Sequence, residues 1–500
     1  MTYKYIAFMG GGARGIVYPG AYKSLVDSGL YKNIEGIAGS SIGAISSAIM
    51  ASGATPEQFK KIFDHTNFSK LVSKDGQLFL NFFKERIKDN ILYFFKEHKI
   101  STEQDFNTNK EFLKNKDQLK EIFIKCKKNK SITFKDLNIL HKIDPTLFKN
   151  LSVNAVVKNT GKNKIFNHKN TPNIEISRAC LASGALPGIF NPVTIDNCEY
   201  VDGGVYENLP ASPEYFSDNK NKQVSQNEIL MMTLARKKGP MHTAIHSNPN
   251  ETKKLYSEKS KDKYLKDFGM DQLGIKRNYT YAERKNAMYN KVRLYNQHAV
   301  ELNITNIGTR DFKESNKNKD LHFYTGYFNT YDSLIKKSVC PKPNNQYDLR
   351  KFFYNVYNKY KNDWHWWGSK YGRNSTNRKT RALLQFCSPD FGKINEEQLI
   401  KGYIKLACFG RRSKQYKSNT GAASALIDKI NSAPIEMKEK FCKVLNISKE
   451  TKVTSDHFDQ FIDNTLEAKN KTFDDKSLFY KNITNLEIKS EPKQQHQVVI

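Results

Sequence analysis

GIAGSSIGAISSA, residues 36–48, decides how the chain is read. Gly39, Ser41 and Gly43 make a G-x-S-x-G pattern after a strand-like run from Ile34 to Ala38, and the apolar stretch Ile42 to Met50 reads as a buried helix. A sharp strand-to-helix turn tolerates little side-chain bulk at its flanks. The two glycines leave that room, and Ser41 is lifted toward solvent near the positive end of the helix. Ser41 is therefore the candidate nucleophile. Upstream, Tyr3 to Met9 reads as a strand, Gly10 opens a turn, and Ile16 to Leu25 carries helical spacing that runs out near Gly29. Strand, helix, strand, helix is the opening of a parallel sheet covered by helices.

MGGGARGI, residues 9–16, lies where the first strand ends, so its backbone amides can converge on negative oxygen. Gly11, Gly12 and Ala13 are the candidate oxyanion donors, with Arg14 as a loop anchor or a contact for an anionic headgroup. Gly10, Gly12 and Gly15 also satisfy G-x-G-x-x-G, and Glu35 stands about 20 residues downstream, where a dinucleotide site places a ribose-binding carboxylate. That carboxylate belongs at the end of the second strand. Glu35 stands at its beginning, so hydrolysis is favoured over nucleotide binding. YVDGGVYENLP, residues 200–210, taken alone reads as a tight turn whose Asp202 caps backbone groups.

Thr55 and Pro56 cap a helix through EQFKKIF. Phe79, Phe83, Ile87, Ile91 and Phe94 recur at helical spacing with Lys84, Arg86, Lys88 and Lys96 between them. Packing of this face on the core is expected, against direct lipid contact as the competing reading. Leu151 to Val157 and Glu228 to Ala235 read as strands, Ile176 to Ala182 as a helix, and the region through Ile195 and Tyr200 as a hairpin. Lys253 to Tyr295 reads as polar helix and loop. Sheet-like patterning fades near Thr330, and Pro341, Pro343 and NNQY suit a linker before a helix-rich region from Leu349 onward.

The glycine loop Gly10 to Gly15, the elbow at Ser41, SRACLASGALPGIFNPV at 177–193 and the Asp202-Gly203-Gly204 loop together resemble the patatin-like phospholipase family, over roughly Tyr3 to Ala235. The resemblance implies an α/β fold: a patatin-like, parallel-rich central sheet flanked by helices, with a C-terminal helix-rich domain. The expected domains are 1–335, catalytic, with a helical cap insertion near 74–130; 349–490, for a partner or membrane targeting; and a flexible tail at 491–500. It also implies a Ser/Asp dyad rather than a triad, with Ser41 as nucleophile and Asp202 as general base and acid. Gly10, Arg14, Gly15, Gly39, Gly43, Gly203 and Gly204 support the loops, and Asn208 fixes the Asp-Gly loop. Met9 stands where the family often has an acidic residue. The implied activity is a lipid acyl hydrolase of phospholipase A type. Some similar enzymes that intracellular bacteria deliver into host cells require a host activator. The partners brought into view are thus a phospholipid membrane and a host ubiquitin or membrane-trafficking protein, in the host cytoplasm or else the bacterial one.

Length and composition agree with a large folded body: 500 residues, 38% hydrophobic and 26% charged. The net charge of +30 favours polyanions without choosing between membrane and nucleic acid. Residues 341–420 hold seventeen Lys and Arg against five acidic residues, whereas 421–500 balance. In that basic stretch Trp364, Trp366 and Trp367, with RRSKQYK at 411–417, suit anionic headgroups or an RNA. A basic RNA-binding or protein-interaction module without hydrolase activity is the alternative function, though no RNA-reader motif is present and nucleic acid is the less favoured partner. Seven isolated Cys suit a reducing compartment, and no export signal is visible, so a soluble, peripherally membrane-associated protein is expected. No metal-ligand spacing stands out, and the expected chemistry needs neither metal nor other cofactor.

Overall fold

The computed structural model describes residues 2–71, 73–107, 112–217, 223–251, 255, 270–272, 274–276, 279–304, 307–312, 319–343, 345–360, 396–408 and 420–467. Trp364, Trp366, Trp367, the run 411–417 and the tail 491–500 lie outside these residues. The chain divides into two compact units, Met1–Lys342 and Pro343–Ile500.

The first unit is built on one mixed sheet. Its strands are β1 (Tyr5–Phe8), β2 (Gly36–Gly39), β3 (Asn150–Val157), β4 (Asn163–Phe166), β5 (Val193–Ile195), β6 (Cys198–Asp202), β7 (Ile229–Ala235) and β8 (Ala299–Asn303), in the order β5-β6-β3-β2-β1-β7-β8, with β4 also paired to β3. Neighbours from β3 through β8 run parallel, and β4, β5 and β6 pair antiparallel. Every residue of β1, β2 and β7 is buried, which is why these strands read as unbroken apolar or small runs rather than alternating ones.

Helices α1 (Tyr18–Asp27), α2 (Ile42–Ala51), α3 (Pro56–His65), α4 (Phe68–Leu71), α5 (Gln77–Glu97), α6 (Lys116–Lys127), α7 (Phe134–Ile143), α8 (Ile176–Ser183), α9 (Pro240–His246), α10 (Tyr281–Leu294) and α11 (Lys319–Lys336) accompany the sheet. The expected first helix splits: Gly12–Val17 is a 3-10 turn, and α1 begins only at Tyr18, with Pro19 in its first turn. Thr55 closes a reciprocal capping box with Gln58 at the start of α3.

Between β2 and β3 the described chain is helical, and α5 resolves the question of its aromatic face. Phe83, Ile87, Ile91 and Phe94 are buried, so the stripe packs on the core. Phe94 meets Phe112 and Phe148, while Phe95 meets Phe106 and Phe123, so aromatic contacts tie α5 both to the segment that follows it and to the chain just ahead of β3.

Thr330, near which sheet-like patterning fades, is buried within α11. This helix returns across the first motif and lies backbone to backbone on α1. A Cβ on Gly20 would collide with the carbonyl of Phe323, and one on Gly326 with the carbonyl of Val17. The second unit contains α12 (Asn345–Tyr360), α13 (Glu396–Cys408), α14 (Thr420–Asn431), α15 (Ile435–Leu445) and α16 (Ser455–Glu467). Phe353 stacks on Tyr403 at 3.9 Å, and Asn431 exchanges two hydrogen bonds with the backbone of Val453.

The α1–α11 contact yields a test. Gly20→Ala or Gly326→Ala must separate two backbones, so each is expected to lower unfolding stability by about 1–3 kcal/mol in urea titration, the usual cost of overpacking. An unchanged midpoint would show that the helices do not cross there.

Candidate active site

Three loops at one end of the sheet make the site. The first follows β1, where Tyr18 Oη donates to the Met9 carbonyl and Asn208 grips Gly10 from both sides. The Gly10 amide donates to the Asn208 carbonyl at 2.8 Å, and Asn208 Nδ2 donates to the Gly10 carbonyl at 3.0 Å. Gly12 adopts φ +56°, and its missing side chain leaves room for the Thr309 backbone.

The Ala13 amide donates to the Thr309 carbonyl at 2.9 Å, which corrects its assignment as an oxyanion donor. A group already bonded to a carbonyl is not aimed at substrate. The Gly11 and Gly12 amides have no hydrogen-bond partner among the described residues. Arg14 turns back on its own loop, its Nε donating to the Gly11 carbonyl at 3.4 Å. Gly15 makes way for Ile42.

The second loop is the elbow. Ser41 sits at φ 54°, ψ −126°, a strained conformation for a non-glycine residue and a common one at functional sites. Its amide is held by Ser183 Oγ at 2.8 Å. A Cβ on Gly39 would strike the Gly43 carbonyl, and one on Gly43 the Phe8 carbonyl, so the small residues are dictated by β1 and α2 closing around the turn.

The third loop follows β6. Gly39 opposes Val153 and Asp202 opposes Ala155, so β6, running antiparallel, ends two residues beyond Gly39, level with the elbow. The two side chains reach over β3, across two strand spacings or about 9–10 Å. Ser41 Oγ donates to Asp202 Oδ2 at 2.6 Å, and the Gly204 amide donates to Oδ1 at 2.7 Å. Asn154, fully buried on β3, donates to the carbonyls of Gly203 and Glu207 and holds the loop from below. Gly203 has no room for a Cβ beside Asn154, nor Gly204 beside Asn208.

Asp202 is only 3% exposed. Burial pushes its carboxyl up to about 6, although the Ser41 and Gly204 hydrogen bonds and the charge of Lys285 pull the other way. Near neutral pH it is ionised yet basic enough to take a proton. Among the described residues no histidine hydrogen-bonds Ser41 or Asp202. Glu35 lies before β2, where it accepts from Tyr5 Oη at 3.3 Å, at the opposite end of the sheet from the glycine loop. From there Glu35 cannot hold the ribose of a dinucleotide seated on the glycine loop. A cleft of about 620 Å³ adjoins the Asp-Gly loop, lined among others by Gly204, Tyr206, Asn208, Tyr281, Lys285 and Lys291. Ser183 falls within the 177–193 stretch and Asn154 within the strand from Leu151, but neither they nor Thr309 could be given a role from sequence, because each acts through a contact that no local motif reveals.

The patatin-like phospholipase model matches residues 6–215, which hold all three loops except the covering Thr309. A protein named probable lipid hydrolase 463L, from Invertebrate iridescent virus 6, is 30% identical over 233 residues, 46% of this chain and 70% of that one. The chain belongs to the patatin-like phospholipase family. Among solved structures, VipD from Legionella pneumophila superposes with a TM-score of 0.45 at 16% identity, covering 92% of this chain and 90% of its own. ExoU bound to SpcU, from the type III secretion system of Pseudomonas aeruginosa, gives 0.36 at 14% identity over 97% and 91%.

The buried carboxylate carries a cost that can be measured. Its folded value lies above the ordinary 3.8, so folding favours the protonated form, and stability falls as pH rises from about 4 through about 6. Asp202→Asn keeps the shape and removes the charge. It is expected to raise stability above pH 6 by up to about 3 kcal/mol, with the advantage shrinking toward pH 4. Urea unfolding of both proteins across that range checks this; a variant less stable than the parent at pH 7 would contradict it.

Proposed function

We propose that the chain is a lipid acyl hydrolase of phospholipase A type, cleaving ester-linked fatty acids through Ser41 and Asp202. The observation that carries the reading is the 2.6 Å hydrogen bond from a strained, half-buried Ser41 to a buried, ionisable carboxylate, with the glycine loop packed on Ser41 at Gly10 and two of its amides without a hydrogen-bond partner among the described residues. Asp202 accepts the Ser41 proton as Oγ attacks the ester carbonyl, and the oxyanion forms against the Gly11 and Gly12 amides. Collapse of the tetrahedral intermediate expels the alcohol, which takes the proton from Asp202, and leaves an acyl-enzyme. Water then attacks with Asp202 taking its proton, and as the Oγ–acyl bond breaks Asp202 returns that proton to Ser41 Oγ and the fatty acid leaves. Each oxyanion donor is worth about 3 kcal/mol of transition-state stabilisation.

The cleft beside Gly204 and Lys285 is the place for the alcohol half of the substrate, and its mixture of Tyr and Lys suits a phosphate headgroup. Among the described residues no helix is long and apolar enough to cross a membrane, so in this reading the enzyme meets lipid at an interface. Residues 343–500 are assigned to membrane or host-protein engagement, and the excess of basic residues at 341–420 supports that assignment. Host delivery and a ubiquitin or membrane-trafficking activator belong to the same proposal, and the chemistry itself needs no metal or other cofactor.

The test is fatty-acid release from phospholipid vesicles by wild type, Ser41→Ala and Asp202→Asn, with and without eukaryotic cytosol. Both variants are expected to lose at least about 1,000-fold in kcat. Wild-type kcat/KM should rise with pH through a midpoint near 6, because the base must be ionised. Full activity in either variant, or a wild type inactive under both conditions, would reject the proposal.

A further inference from the structure

The α9–β8 pair brings together three side chains that the proposed hydrolase does not use. His242 and His246 stand one turn apart on α9, their rings 4.5 Å apart, and both face Glu301 on β8. His242 Nδ1 lies 2.6 Å from Glu301 Oε1 and His246 Nε2 lies 2.8 Å from Oε2. The ligand atoms all fall within 4.8 Å of one another. We propose that His242, His246 and Glu301 form a binding site for a first-row divalent transition ion of the Zn²⁺ type.

Two imidazole nitrogens and one carboxylate oxygen are a donor set for Zn²⁺, Co²⁺ or Ni²⁺, whereas Ca²⁺ and Mg²⁺ prefer oxygen throughout. Bonds of about 2.0 Å at tetrahedral angles separate ligand atoms by about 3.3 Å, so an ion enters with shifts under about 1 Å. The outermost ligand, His246, has an exposed side chain that can move that far. The other elements are fixed. Glu301 is in ladder register opposite Thr233, and Asn296 Nδ2 holds the Ser247 carbonyl just past α9 at 2.9 Å. Helical spacing i, i+4 sets both imidazoles on one face, and a rigid strand supplies the third ligand.

The ion would fasten α9 to β8, which lies at the sheet edge among the described residues. The chain then continues from β8 to Thr309, whose carbonyl holds the Ala13 amide. The site shares no residue with Ser41 and Asp202. Its place is structural support beneath the glycine-loop cover rather than a part in ester cleavage.

The test uses the full chain after chelator treatment, titrated calorimetrically with ZnCl₂ alone and, separately, with CoCl₂ followed by visible absorption. One equivalent should bind with a Kd at or below about 10 µM. His246→Ala and Glu301→Gln should each weaken that by at least about tenfold, and Ser41→Ala should leave it unchanged. Zn²⁺ should raise the melting temperature of wild type and not of His246→Ala, whose melting in EDTA should match the parent's. Absence of saturable binding, equal binding by both ligand variants, or a Co²⁺ spectrum dominated by thiolate charge transfer would each overturn the proposal.

Discussion

The hydrogen bond between Ser41 and Asp202 joins residues 161 apart in sequence, and most of what surrounds it exists to let the two meet. Neither end is comfortable alone. Ser41 holds a backbone conformation that side chains avoid, and Asp202 holds a charge away from water. The strain at Ser41 is held by Ser183 on its amide and by the absence of side chains at Gly39 and Gly43. The charge at Asp202 is met by one hydroxyl, one amide and the field of Lys285.

Asn208 links the remaining loop to this pair. Its backbone carbonyl and side-chain amide take both polar groups of Gly10, so the Asp-Gly loop and the glycine loop are one body. Thr309 closes the same loop from the other side. Among the described residues the Gly11 and Gly12 amides are left over from these engagements, as the proposed oxyanion role requires.

Much of this was legible because it is local. G-x-S-x-G, the glycine run and Asp-Gly-Gly each announce a turn, and the apolar runs of β1, β2, β3 and β7 announce buried parallel strands. What was not legible is non-local or short. AVELN at β8 and NKIF at β4 are brief and partly polar, and they become strands only because β7 and β3 offer edges to pair with. That hidden β8 explains two further gaps. Thr309 follows it, and Glu301 lies within it, so neither the fate of the Ala13 amide nor the His242–His246–Glu301 cluster could be read from spacing alone. The H-x-x-x-H of residues 242–246 was the one available signal, and it lacks meaning without the third ligand.

The central claim, that a buried carboxylate activates this particular serine, is tested most directly by the rate at which a fluorophosphonate modifies Ser41. The rate is followed by peptide mass spectrometry from pH 4.5 to 8. The account predicts modification at Ser41 with a midpoint near pH 6 in the parent protein, and a slow, pH-independent rate when residue 202 is asparagine. Modification at another residue, or the same profile in both proteins, would contradict it.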